Sequence, residues 1–494
     1  MSSARDRTNR GGLRIENLSV RYPRRETPAL NGVDEWIEPG EFVVLAGPSG
    51  CGKSTLCRTL AGFVPDVIPA EIGGDAWLDG QTLIGHDPAK IAPVLGYVQQ
   101  DPDAQICTLN VWQEVAFGPE NLCLPAEEVA ARVHAALSEV GILDLQERST
   151  TTLSGGEMQR LAIAAVLAMG SAWVFLDEPT ANLDPDGAEM IFRVLGQLRR
   201  REGRTVAVVE HRLAPLVPYA PRVIVLDHGR VVDRRRIRSH YDLAEMRLRA
   251  GWPQPPRDVR TCRAADHPGN PSLVELADVG FGYGDRKVFR HLSLTIGRGQ
   301  VLAVIGPNGC GKTTLLRLIA GLEAPESGRI TRTAGVHLGF VAQHPHHQIF
   351  EQTLRREYAI DGVRDPSRLK QLLSEARLSG LADASPLSLS MGEQRRLTVS
   401  TALSRTPELL LLDEPFIGQD RANVIWVLSQ IREATERGAG VILVSHDVEL
   451  VASISDSILY LGDPVQIGSP DVVFEALAEQ GKHAYTPGYW EDHH

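Results

Sequence analysis

Short, uninterrupted apolar runs recur along the chain and end at glycine-rich or acidic segments. EFVVLA precedes Gly47 and QVLAVI precedes Gly306, and a helix-like run follows each glycine-rich segment. Two further runs, WVFL and LLLL, end at Asp177 and Asp413. Runs of this length predict β-strands, and their alternation with helical runs predicts an α/β fold with a parallel core.

The first two runs each lead into the pattern G-x-x-x-x-G-K-[S/T], which cradles phosphate in a strand–loop–helix context. Backbone N–H groups freed by glycine point at phosphate oxygens, and the following helix N-terminus adds positive potential. Lys53 and Lys312 would reach the β- and γ-phosphates of ATP, while Ser54 and Thr313 would bind Mg²⁺. The predicted ATP-binding residues of the loops are Gly47, Pro48, Ser49, Gly50, Cys51, Gly52, Lys53, Ser54 and Thr55, and Gly306, Pro307, Asn308, Gly309, Cys310, Gly311, Lys312, Thr313 and Thr314.

These loops belong to a longer internal repeat. Their lysines are 259 positions apart, and Ser154 in TLSGGEMQRLAIA lies 236 positions before Ser390 in SLSMGEQRRLTVS. The aspartates that end the WVFLD and LLLLD runs are also 236 apart, and the histidines of VVEHR and LVSHD are 235 apart. The nearly constant offset predicts two duplicated domains.

Hydrolysis of ATP needs neutralised charge on the γ-phosphoryl group and a water molecule aimed in line. Asp177 and Asp413 end apolar strands, so we expect their carboxylates beside the phosphate loops, where they would hold Mg²⁺. The adjacent Glu178 and Glu414 can polarise the attacking water as general bases. A single Asp-Glu pair is usually part of a solvated turn, but duplication in register favours catalysis. The sequence therefore predicts a double ATPase.

With these motifs the chain resembles the nucleotide-binding subunits of ABC transporters over nearly its whole length. An LSGGE signature, followed by a DEP segment and a later histidine, is highly specific to that superfamily. The resemblance implies two P-loop nucleotide-binding domains in tandem. Each would have a mixed β core, a RecA-like α/β subdomain and a helical subdomain that carries the signature, with ATP and Mg²⁺ as cofactors.

The remaining family positions occur once in each copy. They are an aromatic residue that stacks on adenine (Tyr22, Tyr283), a glutamine near Mg²⁺ (Gln100, Gln343), a histidine at the γ-phosphate (His211, His446) and an aspartate after the Asp-Glu pair (Asp184, Asp420). The two tyrosines are the least specific of these matches, because strand tyrosines usually serve packing.

In the family two domains pack head to tail, so that the signature of one covers the nucleotide of the other. The resemblance therefore implies two composite sites. The first would combine Lys53, Gln100, Glu178 and His211 with Ser390 and Gly392, and the second Lys312, Gln343, Glu414 and His446 with Ser154, Gly155 and Gly156.

The two signatures differ where Met391 replaces Gly155. Methionine adds a side chain at a close backbone approach, and a positive φ there would be poorly tolerated. Both general bases are present, so we expect both sites to hydrolyse ATP. The first site, which the Met391 signature would complete, is expected to be slower.

Composition places the domains and excludes some functions. We expect a disordered tail at 1–11, an ATPase domain at 12–248, a linker rich in proline and charge at 249–271, and a second ATPase domain with a short C-terminal tail at 272–494. The net charge of −11 argues against a nucleic-acid partner, even at the run RRRIR. Cys51 and Cys310 lie inside the phosphate loops, where a disulfide would obstruct binding, so a reduced compartment is expected. The other cysteines do not have metal-ligand spacing.

The N-terminus lacks the apolar core of a signal peptide. The most apolar stretch, 161–176, is shorter than the ~20 residues that a spanning helix needs. We therefore expect that the chain cannot cross a membrane alone. The resemblance to ABC transporter subunits implies a peripheral protein on the cytoplasmic face of the cell membrane, with membrane contact only through partners.

Three functions fit a tandem ATPase: an importer motor, a motor of another ABC transporter class, and a soluble ABC protein of translation or repair. The long charged linker of the translation type and the coiled coils or zinc cysteines of the repair type are not visible in the sequence. Asp101–Ile106 and Val115–Leu122 resemble the energy-coupling factor (ECF) ATPases. That resemblance implies a transmembrane coupling subunit, a small substrate-binding membrane subunit, and a vitamin, vitamin precursor, cobalt or nickel ion as cargo.

Overall fold

The computed structural model describes residues 11–487 apart from a few gaps, and it divides the chain into a first unit, Met1–Pro253, and a second unit, Gln254–His494. The gaps are Arg24, Glu26, Ser49, Asn182, residues 250–271, Asp285, Gly418 and Asp420. The predicted tail and linker, the phosphate-loop residue Ser49 and the loop aspartate Asp420 therefore fall wholly or mostly outside the described residues. The boundaries at 12–248 and 272–494 stay predictions.

The first unit contains two sheets and a set of helices. Its strands are β1 (Leu13–Arg21), β2 (Leu30–Ile37), β3 (Phe42–Ala46), β4 (Glu71–Leu78), β5 (Gln81–Thr82), β6 (Leu95–Val98), β7 (Trp173–Asp177), β8 (Thr205–Val209), β9 (Arg222–Asp227) and β10 (Arg230–Arg236). Its helices are α1 (Lys53–Leu60), α2 (Pro88–Ile91), α3 (Val111–Asn121), α4 (Ala126–Glu139), α5 (Gly155–Ala168), α6 (Pro185–Glu202) and α7 (His240–Arg249).

The larger sheet of the first unit has the strand order β10-β9-β3-β8-β7-β6, and its strands are parallel except for the β9–β10 pair. Every residue of β3, β7 and β8 is buried. Burial on both faces explains why these strands are continuous apolar runs. In this order, β8 lies between β3 and β7, and the three strands are parallel. The acidic C-terminal end of β7 and the phosphate loop after β3 therefore lie at the same edge of the sheet. An antiparallel sheet, β2-β1-β4-β5, completes the unit.

The second unit repeats this plan. Its strands are β11 (Ser272–Tyr283), β12 (Arg286–Gly297), β13 (Val301–Ile305), β14 (Ser327–Arg332), β15 (Leu338–Val341), β16 (Leu409–Asp413), β17 (Gly440–Val444), β18 (Ser457–Tyr460) and β19 (Gln466–Gly468). Its helices are α8 (Lys312–Ala320), α9 (Leu354–Ile360), α10 (Pro366–Glu375), α11 (Met391–Leu403), α12 (Arg421–Glu436), α13 (Val448–Ile454) and α14 (Pro470–Glu479). The sheet orders are β15-β16-β17-β13-β18-β19 and β12-β11-β14.

Helices α3, α4 and α5 pack into one apolar cluster of the first unit, and α9, α10 and α11 do the same in the second. These are the helical parts that carry the LSGGE and LSMGE segments. The tandem α/β fold predicted from the sequence is thus confirmed, with an antiparallel sheet, a mainly parallel sheet and a helical signature region in each unit.

The structure also describes the apolar stretch 161–176, the RRRIR run and the C-terminal segment. The apolar stretch 161–176 is the end of α5 followed by β7, and among the described residues no helix is long and apolar enough to cross a membrane. The RRRIR run starts on β10, where Arg234 pairs with Glu35 at 2.8 Å and Arg236 with Glu41 at 3.3 Å. In the C-terminal segment, Tyr485 is buried against Tyr460.

Candidate functional site

Each phosphate loop connects the central strand of the large sheet to a helix that begins at its lysine. Gly52 and Gly311, which precede α1 and α8, have φ values of 108° and 106°. The ammonium group of Lys53 lies 2.8 Å from the Gly47 carbonyl and 2.9 Å from that of Pro48. Lys312 repeats both contacts in the second unit at 2.8 and 2.9 Å. The loops thus present equivalent lysines.

The loop geometry requires glycine at its first position. Gly47 has a φ of 145°, and a Cβ atom there would lie 2.1 Å from the carbonyl oxygen of Leu226. Gly306 has the same φ, and its Cβ would lie 2.7 Å from the Leu461 carbonyl. Both the backbone conformation and the neighbouring strand therefore exclude a side chain.

Two of the three predicted magnesium ligands, the hydroxyl residue and the aspartate, are in contact in each unit. The Ser54 hydroxyl donates to Asp177 at 2.9 Å, and the Thr313 hydroxyl donates to Asp413 at 2.8 Å. Burial raises the pKa of each aspartate, and the hydroxyl bond opposes that shift. Among the described residues, the buried Oδ1 of Asp413 has no hydrogen-bond partner. A hard cation prefers such oxygen ligands, so the residues fit Mg²⁺.

Glu178 and Glu414 follow these aspartates in an unusual backbone conformation. Their φ values are 49° and 48°, in the left-handed region that a residue with a long side chain rarely adopts. Strain of this kind is concentrated at functional sites. Sequence reasoning missed this conformation, because nothing in the residue type Glu signals a positive φ.

In the first unit, two predicted residues, Gln100 and His211, contact Glu178. The Gln100 amide donates to one carboxylate oxygen at 2.8 Å, and His211 Nε2 lies 2.9 Å from the other. Burial acts to raise the pKa of Glu178, but the His211 hydrogen bond and the charges of His211 and Lys53 outweigh it and lower the pKa. The carboxylate is therefore ionised at neutral pH, as a general base must be.

In the second unit, His446 takes the corresponding place. Its Nε2 lies 3.1 Å from Glu414 Oε1, and its backbone N–H donates to Glu414 Oε2 at 3.2 Å. Gln343 lies two residues after β15, and its backbone carbonyl accepts a hydrogen bond from Arg395. The glutamate–histidine pair is common to both units, whereas the setting of the glutamine differs.

The signature serines are helix caps within their own units. The Ser154 hydroxyl accepts from the Glu157 N–H at the start of α5, and Ser390 accepts from the Glu393 N–H at the start of α11. Gly155, Gly156 and Gly392 occupy the first turns of these helices.

The backbone argument made for Met391 is not supported. Met391 is the first residue of α11, and neither it nor Gly155 has a positive φ. A Cβ at Gly155 would meet only a Leu183 methyl group at 3.9 Å. The methionine therefore fits its own unit without strain, and its side chain is 53% exposed.

The two tyrosines predicted to stack on adenine have different surroundings. Tyr22 is partly buried and its hydroxyl donates to Thr55 at 3.2 Å, next to the phosphate loop. Tyr283 is 48% exposed and packs edge-on against Phe281, with ring centroids 5.0 Å apart. Adenine stacking stays a prediction for both. Asp184 caps α6 by accepting from the Gly187 N–H at 2.8 Å.

One side chain at the site was missed entirely. The Tyr97 hydroxyl donates to Asp177 at 3.0 Å, and burial together with the Asp177 charge raises the pKa of Tyr97. The sequence signal for this residue was the difference between LGYV in the first copy and the equivalent segment LGFV in the second. Phe340 stands there in the second unit.

Comparison with known proteins agrees with this geometry. A family described as "ABC transporter" matches residues 30–181 and 289–417. YkoD of Bacillus subtilis, whose name refers to HMP/thiamine import and ATP binding, is 33% identical over 91% of this chain and 90% of that protein. A protein of Methanosarcina acetivorans, named as an ABC transporter ATP-binding protein, is 33% identical over 96% of this chain and 88% of that protein.

A solved structure named RNase-L Inhibitor is similar over 94% of this chain and 93% of that chain, with a TM-score of 0.68 and 22% identity. At that identity the likeness concerns the fold alone. The family match covers more than half of the chain and both phosphate loops, and relatives of similar length extend it to nearly the whole sequence. This chain therefore belongs to the ABC transporter family, as an ATP-binding protein with two ATPase units.

Proposed function

We propose that the chain is the ATP-hydrolysing motor of an ECF-type importer that takes up a micronutrient through separate membrane subunits. The observation that carries the proposal is the segment from Gln100 to Leu122, whose residues resemble ECF ATPases. The Bacillus subtilis relative named for HMP/thiamine import supports the same class. HMP and thiamine are therefore the first cargo molecules to test, and other vitamins, cobalt and nickel ions follow.

Within each unit, the site residues have separate tasks. Lys53 and Lys312 would bind the β- and γ-phosphates, and Ser54 with Asp177, or Thr313 with Asp413, would hold Mg²⁺, with Gln100 or Gln343 close by. Bound Mg²⁺ would neutralise negative charge on the phosphate oxygens.

The hydrolytic step is assigned to the glutamate–histidine pair. The Glu178 or Glu414 carboxylate would accept a proton from the attacking water while His211 or His446 contacts the γ-phosphate. We further propose that the signature residues Ser154, Gly155, Gly156, Ser390 and Gly392 complete the sites in trans, as the family resemblance implies.

The ECF-like segment of the first unit is held in shape by two buried or half-buried side chains. Gln105 accepts from the Gln99 N–H at 2.9 Å, and Glu114 accepts from the N–H groups of Cys107 and Thr108 at 3.0 and 2.8 Å. Gln348 and Glu357 make the corresponding bonds in the second unit. These polar residues therefore stabilise the backbone conformation of the segment.

The same segment exposes apolar side chains. Leu109 is 73% exposed and Phe117 is 47% exposed, and Glu120 is exposed one turn after Phe117 on α3. A rigid segment with exposed apolar groups is suited to binding a helix of a partner protein. We propose that it docks a cytoplasmic helix of the transmembrane coupling subunit, which would place the chain at the cytoplasmic face of the membrane.

Replacement of Phe117 and Glu120 by alanine tests this docking. The chain would be coexpressed with the membrane proteins encoded by the adjoining genes, and recovery of the complex would be measured. We expect loss of copurification with unchanged ATP binding. Tyr241→Ala is the matched control, because it removes an aromatic ring that is 77% exposed outside the segment. Complex recovery equal to that of the control would refute the docking surface.

The alternatives are another ABC transporter class and a soluble role, and each predicts a different result. A protein of translation or repair would not be retained by a membrane fraction that contains the proposed partners. Uptake of labelled thiamine or HMP by cells, with and without the gene, distinguishes the ECF class from other transporter classes.

A further inference from the structure

The fifth residue of the signature helix differs between the units. Gln159 occupies the position in the first unit and Arg395 occupies it in the second, and each side chain is 3% exposed. Among the described residues, the Gln159 amide nitrogen has no hydrogen-bond partner. The Arg395 guanidinium donates to the backbone carbonyls of Ala342, at 2.6 Å, and Gln343. A neutral amide in one unit is thus replaced by a buried, bonded cation in the other.

Burying a cation is costly unless hydrogen bonds or opposite charges compensate for the lost water. Burial lowers the pKa of Arg395 to about 10, while the charges of Asp413 and Glu414 act in the opposite direction. The guanidinium therefore stays charged at neutral pH. In return, the Arg395 charge helps to oppose the upward shift that burial causes in the pKa of Asp413.

The first unit supports its equivalent aspartate in another way. There, the Tyr97 hydroxyl donates to Asp177 at 3.0 Å. Phe340, the equivalent of Tyr97, has no hydroxyl to offer Asp413. The second unit consequently lacks this hydroxyl donor but has a buried cation on the signature helix whose charge acts on the acidic pair.

We propose that Arg395 is a positioning residue of the second ATP site, which fixes the backbone at Gln343 and offsets the charge of Asp413 and Glu414. The proposal rests on the roles proposed above for Gln343 and Glu414. Arg395 acts through these residues and is not itself assigned to ATP or water. Its fork geometry suits two carbonyl groups on successive residues, which a lysine ammonium cannot bind in the same way.

Arg395→Gln, which introduces the residue of the first unit, tests the proposal in two backgrounds of the full chain. In Glu178→Gln only the general base of the second site is intact, and in Glu414→Gln only that of the first. We expect kcat to fall about 10- to 100-fold in the Glu178→Gln background, the scale of a small misplacement of catalytic groups. Affinity for ATP should stay nearly constant, and the Glu414→Gln background should be little affected.

A merely structural arginine predicts another pattern. If Arg395 only anchors α11, its loss should disturb the signature of that helix, which is proposed to serve the first site. Turnover in the Glu414→Gln background would then fall at least as much, and that result would overturn the proposal. So would unchanged turnover in the Glu178→Gln background.

Two further variants separate the proposal from loss of folding. Arg405→Gln is the matched control, since Arg405 also donates to two successive carbonyls, those of Ile360 and Asp361, but outside the site. A kcat loss equal to that of Arg405→Gln would refute the positioning role. Arg395→Lys keeps the positive charge and should show a smaller loss of kcat than Arg395→Gln. If Arg395→Gln does not fold, Arg395→Lys is compared with Arg405→Gln in its place. Wild-type turnover in both glutamine backgrounds would instead refute the general bases, and with them the proposal.

Discussion

The two units agree closely where they would meet phosphate and metal, and they differ around that centre. The lysine contacts with the loop carbonyls are 2.8 and 2.9 Å in both units, and the hydroxyl–aspartate bonds are 2.9 and 2.8 Å. The positive φ values of the two glutamates differ by only one degree. Binding of phosphate and Mg²⁺ requires these lysine, hydroxyl and carboxylate groups in both units, which accounts for their similar geometry.

The surroundings of the general bases show the divergence. In the first unit, Glu210 accepts hydrogen bonds from the Thr180 hydroxyl and from the backbone N–H groups of His211 and Arg212. Arg212 also donates to the Thr180 carbonyl at 2.8 Å. This network ties the histidine segment to the loop after Glu178. In the second unit Phe416 and Ser445 stand at the positions of Thr180 and Glu210.

The strongest test of the shared centre is the double variant Glu178→Gln, Glu414→Gln. Removal of both general bases should lower turnover by about 10²- to 10⁴-fold, while the phosphate loops still bind ATP. Nucleotide occupancy and phosphate release would be measured on the same sample. Turnover near that of the unsubstituted chain would show that neither glutamate is the base.

The single variants ask whether the two sites are equal. Glu414→Gln should cost more turnover than Glu178→Gln, because the site that remains would be completed by the Met391 signature. The structure does not support the backbone reason for this expectation, but in the proposed composite site the half-exposed Met391 side chain would face the nucleotide of the first unit. A deficit of ~1.4 kcal/mol corresponds to a tenfold difference.

Turnover of each single variant, assembled with the membrane partners, checks this asymmetry. Met391→Gly in the Glu414→Gln background is the matched control and should raise the rate of the slower site. Equal losses in the two single variants, or a larger loss from Glu178→Gln, would contradict the ranking.

The sequence predicted the shared centre well and the surroundings poorly, for a physical reason. Glycines, a lysine and strand-terminal acids have few roles at such spacing, so the loops and the Asp-Glu pairs could be located from residue type alone. By contrast, the bond from Tyr97 to Asp177 and the contacts of Arg395 depend on which side chains the packing brings together. A pattern within one segment does not encode such distant pairs.

The backbone at Met391 shows the same limit. From the sequence, a positive φ at this position was one reason to expect that Met391 would be poorly tolerated. The structure instead places Gly155 and Met391 in ordinary helical turns. Local conformation was decided by the serine cap and the helix that follows it.

The Glu210 network should also be visible in stability. Glu210→Ala would leave the Thr180 hydroxyl and two backbone N–H groups without their acceptor, at a cost of about 1–3 kcal/mol. Ser445→Ala in the second unit removes only the bond from the Asp447 N–H, at 3.1 Å, and should cost less. Thermal unfolding, with hydrogen exchange of the peptides around residues 180 and 212, measures both. Equal destabilisation would show that the network stabilises the first unit no more than the single Ser445 bond stabilises the second.

The smallest expected effect concerns alkaline pH and a tyrosine found only in the second unit. Tyr358 on α9, the equivalent of Val115 on α3, donates to Ser400 at 2.7 Å. Burial raises the pKa of Tyr358 from 10 to about 12, although the Ser400 bond acts to lower it. The folded state holds this proton more tightly than the unfolded state. Its stabilising contribution is therefore complete below pH 10 and is lost as the pH rises towards 12.

Tyr358→Phe should consequently flatten the fall in melting temperature between pH 10 and 12. At pH 8 it should cost only about 1 kcal/mol for the lost hydrogen bond. The exposed Tyr241→Phe is the control, because its ring does not leave water on folding. An alkaline slope that is the same in all three proteins would mean that ionisation of Tyr358 does not contribute to alkaline unfolding of the second unit.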